Sequence, residues 1–264
     1  YQLHCTFETN DAMGANFINT CLEEIAKTLE SRSKLHADFI SKNEFPEVVM
    51  SILSNYVPEC LVSAQVSCPV EEMSTNGMDG KTFTSRFIRA VKIAKVNKRR
   101  AVTHNKGIMN GIDAVILATG NDFRSVEAGI HAYASKDGNY TSLTDAKIDN
   151  GNFIFSIEIP LAIGTIGGLT ALHPLVNFGL SLLQNPSAKK LMQIIAVAGL
   201  AQNFAALRSL ITTGIQKGHM KMHLVNILNN LDATQAESVK SVAYFKDHTI
   251  TNSAVANFIK QLRK

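Results

Sequence analysis

The chain has 264 residues, 45% hydrophobic and 18% charged, an ordinary globular balance with room for one large domain or two smaller ones. Its net charge of +4 is modest, and the only block of like charge is Lys98-Arg99-Arg100, so nucleic acid is not indicated and small phosphate ligands stay open. The cysteines Cys5, Cys21, Cys60 and Cys68 lack zinc-site and secreted-framework spacing, which points to reduced thiols in a cytoplasmic protein.

Tyr1 to Phe7 alternates like a strand already in progress, with no initiator methionine before it. From Asp11, the spacing of Met13, Phe17, Cys21, Ile25 and Leu29 predicts a helix, with the Asp11 carboxylate suited to cap it. Val48–Leu53 and Cys60–Cys68 read as strands, so the first 55 residues suggest half of a small α/β layer. A polar loop over 72–80 leads into a helix carrying Phe83, Phe87, Ala90, Val91 and Ala94 and ending at the basic triplet. Two more helices are predicted over 106–117 and 124–135.

Asn150-Gly151 before the alternating Phe153, Phe155, Ile157 and Ile159 signals a hairpin, because this dipeptide tolerates the positive φ angles of a two-residue turn. Gly164 to Gly168 reads as flexible backbone. Pro174 starts a helix, and Ser187 caps another running to about Thr213. Its most apolar part, 191–201, is interrupted by Gln193 and falls short of the roughly 20 residues a bilayer needs, so no membrane is expected. The last fifty residues read as short polar helices with little apolar mass, mobile or docked outside the main core.

The chemistry concentrates in His104-Asn105-Lys106-Gly107-Ile108-Met109-Asn110-Gly111-Ile112-Asp113 and Ala118-Thr119-Gly120-Asn121-Asp122. Lys106 and Asp122 lie sixteen positions apart in apolar, glycine-punctuated surroundings. Such residues are rarely buried unless paired, so an ion pair between them is expected, either structural or catalytic. Asn110 is four residues from Lys106, on the same face of a helix. His219 and His223 share a helical face too, but no acidic or cysteine ligand set accompanies them, so no metal is expected.

Six ordered segments resemble hydroxymethylglutaryl-CoA (HMG-CoA) reductase of the bacterial class II type. They are Asp11–Asn16, Thr103–Asp113, Ala118–Asp122, Glu127–Ala134, Gly199–Asn203 and Gly214–Met220. The resemblance implies an enzyme interconverting HMG-CoA with mevalonate and CoA through two hydride transfers, with NAD or NADP as cosubstrate. By the same resemblance, Lys106 stabilises the carbonyl oxyanion, Asp122 is the catalytic aspartate beside it, and His219 protonates the CoA thiolate. Arg100 matches the group that binds the substrate carboxylate, against a plain reading as a solvated member of a basic run. Asn110 matches a substrate-orienting asparagine. Asp11, Met13, Gly14 and Asn16 match the nucleotide-binding motif, which alone would read only as a well-capped helix.

The implied fold is α+β. A small, ferredoxin-like α/β nucleotide-binding domain is represented in part by 1–55, followed by a large, mainly helical substrate domain over 56–212. A C-terminal helical flap covers 213–264. A homodimer with its active site at the interface is implied as well. None of Glu8, Glu23 or Glu24 sits in the family's Glu-Glu-Pro-Ser-type motif, so the role of its catalytic glutamate passes to none of them. The chain is therefore expected to be the C-terminal portion of a longer reductase, without full activity unless an N-terminal piece completes it. The alternative is a catalytically incomplete fragment that only binds CoA or nucleotide.

Overall fold

The computed structural model describes residues 1–75, 77–170 and 172–263, excepting the side chains of 215–222. The fold is α+β, mostly helical around one small antiparallel sheet, and it divides into two compact units, Tyr1–Phe204 and Ala205–Lys264.

In the first unit, helix α1 (Ala15–Ser33) and the short α2 (Ala37–Lys42) are followed by extended chain. The segments read as strands at 1–8 and 48–53 pair with nothing among the described residues. A strand exists only where a neighbour completes its ladder, and here the amides of Val48 and Leu53 donate instead to Glu30 Oε1 (2.8 Å) and Asn19 Oδ1 (3.0 Å) of α1. Helix α1 also starts later than predicted. Gly14, at φ 81°, is its N-cap, and no side chain caps it.

The sheet runs in the order β1 (Leu61–Pro69), β3 (Asn152–Pro160), β2 (Thr144–Asp149). The β2–β3 turn forms as predicted, with Asn150 at φ 47°, Gly151 at φ 77°, and Asp149 opposite Asn152. Gly151→Ala should cost about 1 kcal/mol, the penalty of a Cβ in left-handed backbone, read as a lower denaturation midpoint with an unchanged fold. Phe153 and Phe155 project from β3 onto Phe87 of α3 (Gly80–Val96), with ring centroids 5.2 and 5.0 Å away at near-perpendicular angles. Phe204 closes the cluster 5.2 Å from Phe87. Edge-to-face rings of this kind add to their burial energy.

The basic triplet begins a helix instead of ending one. Asn97 terminates α3 and caps α4 (Lys98–Ala118), its Oδ1 accepting from the Arg100 amide at 2.9 Å. Helix α5 (Phe123–Tyr133) follows, then α6 (Pro174–Leu182), with proline in its first turn.

Helix α7 (Ala188–Ile211) has 24 residues and is long and apolar enough, by length and composition, to cross a membrane. The apolar run read as 191–201 continues through Phe204-Ala205-Ala206-Leu207, which corrects its length. Its Gly199 nevertheless packs directly on α4, where a Cβ would come within 2.8 Å of Ile112.

The second unit contains α8 (Ile215–Asn230), α9 (Gln235–Tyr244) and α10 (Asn252–Leu262). It is less polar than expected, burying Leu224, Ile227, Leu228, Phe245, Val255 and Ile259 in a core of its own. A capping box of Thr234 and Glu237 opens α9, and Arg263 Nε reaches Glu237 Oε1 at 2.7 Å. That guanidinium, with the amide of Thr234, holds the partly buried Glu237 carboxyl down to about 2.

Candidate active site

Helix α4 organises the site. Ala101, His104, Asn105, Ile108, Met109, Ile112 and Ile116 form its buried stripe, at the three- and four-residue spacing of a core-facing helix. Gly111 lets α7 approach, since a Cβ there would lie 2.5 Å from the carbonyl oxygen of Ala198. The glycines that made this segment look like core are therefore partly packing glycines. Gly107, beside Lys106, has open space where a Cβ would go.

The two residues before Lys106 fix the helix in place. Asn105 is fully buried, donating from Nδ2 to Thr141 O (2.8 Å) and accepting at Oδ1 from the Leu143 amide (3.1 Å). His104 Nε2 lies 2.7 Å from Thr144 Oγ1, which donates to Asn203 Oδ1 of α7 at 3.2 Å. Asn203 Nδ2 returns to His104 O at 3.5 Å. The threonine's one proton is committed to Asn203, so the imidazole must donate from Nε2, which leaves Nδ1 as an acceptor. That atom is buried without a partner. Burial, and secondarily the Arg100 charge, push His104 down to about 4. The ring is thus a neutral structural pin joining α4, the start of β2, and α7.

With one side pinned, α4 exposes both Lys106 and Asn110. The expected ion pair between Lys106 and Asp122 does not form. Lys106 is solvent-exposed and has neither ion pair nor hydrogen bond among the described residues. Asp122 caps α5, its Oδ1 accepting from the amides of Arg124 (3.0 Å) and Ser125 (3.2 Å), with Arg124 Nε 3.8 Å away. The ion-pair expectation assumed burial, whereas the apolar neighbours of Lys106 turn to the other side of the helix. Arg100 lies half-buried one and a half turns before Lys106 and about 120° around α4. Burial lowers its pKa, and its guanidinium has no protein partner among the described residues.

Two predicted motifs do come together. The loop bearing Asp11, Met13 and Gly14 docks on residues 164–166, where the amides of Thr165 and Ile166 donate to Asp11 O (2.8 and 3.3 Å). A Cβ on Gly164 would lie 2.4 Å from the Met13 nitrogen. The Gly164 amide in turn donates to Asn121 Oδ1 (2.8 Å), next to Asp122. Asp11 does not cap α1. Its Oδ1 accepts from the Ala188 amide at 2.7 Å, capping α7 instead. A cavity of about 370 Å³ opens here, lined by Asp11, Thr165, Ile166, Leu180 and residues 185–187. Asn16 is exposed in the first turn of α1. His219 belongs to the residues of α8 whose side chains lie outside the described set, so its place in the site is not described. Among the described residues no three His, Cys, Asp or Glu side chains group as metal ligands.

Comparison with known proteins identifies the chain's relatives. Residues 1–224 match the family model for hydroxymethylglutaryl-coenzyme A reductase. The chain is 40% identical over 236 residues to the 3-hydroxy-3-methylglutaryl-coenzyme A reductase of Archaeoglobus fulgidus, covering 89% of this chain and 50% of that protein. It is 36% identical over 230 residues to the probable reductase of Borreliella burgdorferi, covering 87% of this chain and 51% of that one. Among solved structures, the class II reductase of Streptococcus pneumoniae bound to NADPH in open conformations superposes with a TM-score of 0.69 at 38% identity, over 97% of this chain and 60% of that one. The chain therefore belongs to the hydroxymethylglutaryl-coenzyme A reductase family. Within that family it is of class II, and it spans about half the length of the curated relatives it matches.

Proposed function

We propose that this chain supplies the substrate side of an HMG-CoA reductase, which interconverts HMG-CoA and mevalonate plus CoA with NAD or NADP as cosubstrate. The carrying observation is that Lys106, beside Asn110, has no ion pair or hydrogen bond among the described residues and stands on the free side of a helix pinned by His104, Asn105 and Asn203. Such an ammonium is held ready for negative charge that appears only during reaction.

The residues fit a nicotinamide dinucleotide. Gly14 leaves the first turn of α1 without a side-chain cap, so its amides are open to a phosphate, and the adjoining cavity is lined by Asp11 of the motif and by Thr165 and Ile166, which dock on it. When bound, that cosubstrate supplies hydride. In the first reduction, hydride adds to the thioester carbonyl carbon, and Lys106 stabilises the charge that forms on its oxygen. Collapse of the resulting hemithioacetal breaks the carbon–sulfur bond to give mevaldehyde and CoA thiolate, and His219 is assigned the proton delivery to sulfur. The second hydride converts the aldehyde to the alcohol, with Lys106 again at the oxygen. Arg100, charged and without a protein partner among the described residues, binds the free carboxylate of the hydroxymethylglutaryl group through its fork of donors. Asn110 orients the substrate, and Asp122 lies at the end of the same loop system as the cofactor motif.

The reading also assigns 1–55 to a small ferredoxin-like nucleotide domain, 56–212 to the substrate domain, and 213–264 to a closing flap. It places the enzyme in the cytoplasm as a homodimer with interfacial active sites. The Glu-Glu-Pro-Ser-type motif is not in the sequence, so the catalytic glutamate's role is assigned to no residue here.

The test is mevalonate- and CoA-dependent reduction of NAD or NADP by a polypeptide containing this chain. Arg100→Ala should raise KM for HMG-CoA roughly 10- to 100-fold, the worth of a charge-assisted hydrogen bond. Saturable CoA binding without turnover would favour a chain that only binds, and an unchanged KM would remove Arg100 from the site.

A further inference from the structure

Between the site and the second helix that frames it lies a carboxyl pair that the reaction chemistry does not use. Asp113 stands seven residues after Lys106 on α4, two turns along the same side, and faces Glu127 on α5. Glu127 stands five residues after Asp122, the residue that opens α5. Asp113 Oδ1 is buried and has no hydrogen-bond partner. An ionised carboxylate in that position would leave a desolvated, unpaired oxygen facing a second anion, an arrangement that costs several kcal/mol unless a proton intervenes.

Among the described residues no cation resolves the conflict. Helix α3 carries Lys81, Arg86, Arg89, Lys92 and Lys95, but none of them is among the causes acting on Asp113. Pro174–Leu182 of α6 has no ionisable side chain, and α7 has none between Lys190 and Phe204. On α5, Arg124 is turned to Asp122, and His131 Nδ1 is 2.8 Å from Tyr140 Oη.

We propose that Asp113 and Glu127 are a positioning pair, sharing one proton across the α4–α5 contact and so holding Asp122 in place relative to Lys106. Burial first, then the facing Glu127 carboxyl, raise Asp113 to about 6. The sign follows from the direction of that shift. The folded chain holds the proton more tightly than the unfolded chain, so the pair's stabilisation is complete below about 4 and is lost as pH rises through about 6. Above that, two like charges face each other and the α4–α5 contact loosens. The structural part stands without any assumption about activity, whereas the effect on Asp122 and Lys106 rests on the reductase reading.

The experiment compares the chain with Asp113→Asn, which keeps a hydrogen bond to Glu127 without titrating, and with Asp113→Leu, which keeps neither. Below pH 4 the wild-type and Asp113→Asn thermal midpoints should coincide. At pH 8 the Asn variant should melt higher by about 2–4 °C, and Glu127→Gln should behave alike. Asp113→Leu should be displaced from Asp113→Asn by a similar amount at both pH values. A wild-type-to-Asn gap that does not change with pH overturns the proposal. In a polypeptide that turns over HMG-CoA, the ratio of Asp113→Asn to wild-type kcat should rise several-fold from pH 5.5 to pH 8 with KM unchanged. A flat ratio there, with the midpoint gap intact, removes the link to Asp122 and leaves only a structural pair. Retention of turnover by Lys106→Ala would sink the reductase reading and leave the midpoint result standing.

Discussion

Lys106→Ala, in a polypeptide containing this chain, is expected to lower kcat for HMG-CoA reduction about 10²- to 10³-fold, with KM changed much less. One preorganised donor to a developing oxyanion is worth on the order of 3 kcal/mol, which is this range. The structure gives reasons for the split between kcat and KM. Lys106 is exposed and makes no ion pair or hydrogen bond among the described residues, so its removal opens no cavity and strands no partner there. The loss falls on the transition state, where the charge is. Lys106→Met, nearly isosteric and uncharged, should lose as much as alanine. Circular dichroism and thermal midpoint should match wild type in both variants. A variant with normal kcat would remove Lys106 from the chemistry, and one with a lowered midpoint would make it a structural residue.

The second large effect is on acid stability. His104 is nearly inaccessible and is held at about 4, against 6.5 for a free imidazole. Because the unfolded chain takes up the proton first, the stability that the neutral ring contributes is complete above about 6.5. It is lost as pH falls toward about 4 and constant below that. The difference amounts to about 3 kcal/mol at full burial. Asp113 works in the opposite sense over much of the same range, so wild-type stability alone understates the histidine. Urea unfolding at pH 7 and pH 4.5 separates the two. His104→Gln, which can donate to Thr144 and does not titrate, should lose less stability on acidification than wild type by roughly that 3 kcal/mol. Equal losses in both proteins would mean that the ring takes up its proton as readily in the folded chain as in the unfolded one.

What could be read from the sequence was whatever local chemistry decides. Asn150-Gly151 specifies its own turn, Pro174 its own helix start, and the motif spacing placed Lys106 and Asn110 on one helix face before any coordinates were available. Where a partner far along the chain decides, local reading failed. Val48–Leu53 has strand composition, but whether it is a strand depends on a neighbour, and its amides have gone to α1 instead. Asp11 has an ideal capping side chain and caps a helix that begins 177 residues later. Lys98-Arg99-Arg100 looked like the end of one helix because Asn97, a residue favoured at starts, marks the boundary between two. The pin made by His104, Asn105 and Asn203 was hidden for a related reason. Polar residues inside an apolar stripe look like surface positions until the strand that satisfies them is found. The signal available was their phase, since both His104 and Asn105 fall within the spacing of Ala101, Ile108 and Ile112.

The extended segment beside α1 has a practical consequence. Val48-Val49-Met50-Ser51-Ile52-Leu53-Ser54 contains neither charge nor proline, and Val49, Met50 and Ile52 are 91%, 76% and 60% exposed. Short, uncharged, β-branched segments with unmatched ladder positions are templates for cross-β stacking between molecules. A preparation of this chain by itself therefore carries a nucleus for fibril growth within its most N-terminal quarter. In concentrated solution that heptapeptide is therefore expected to limit shelf life before the helical core does.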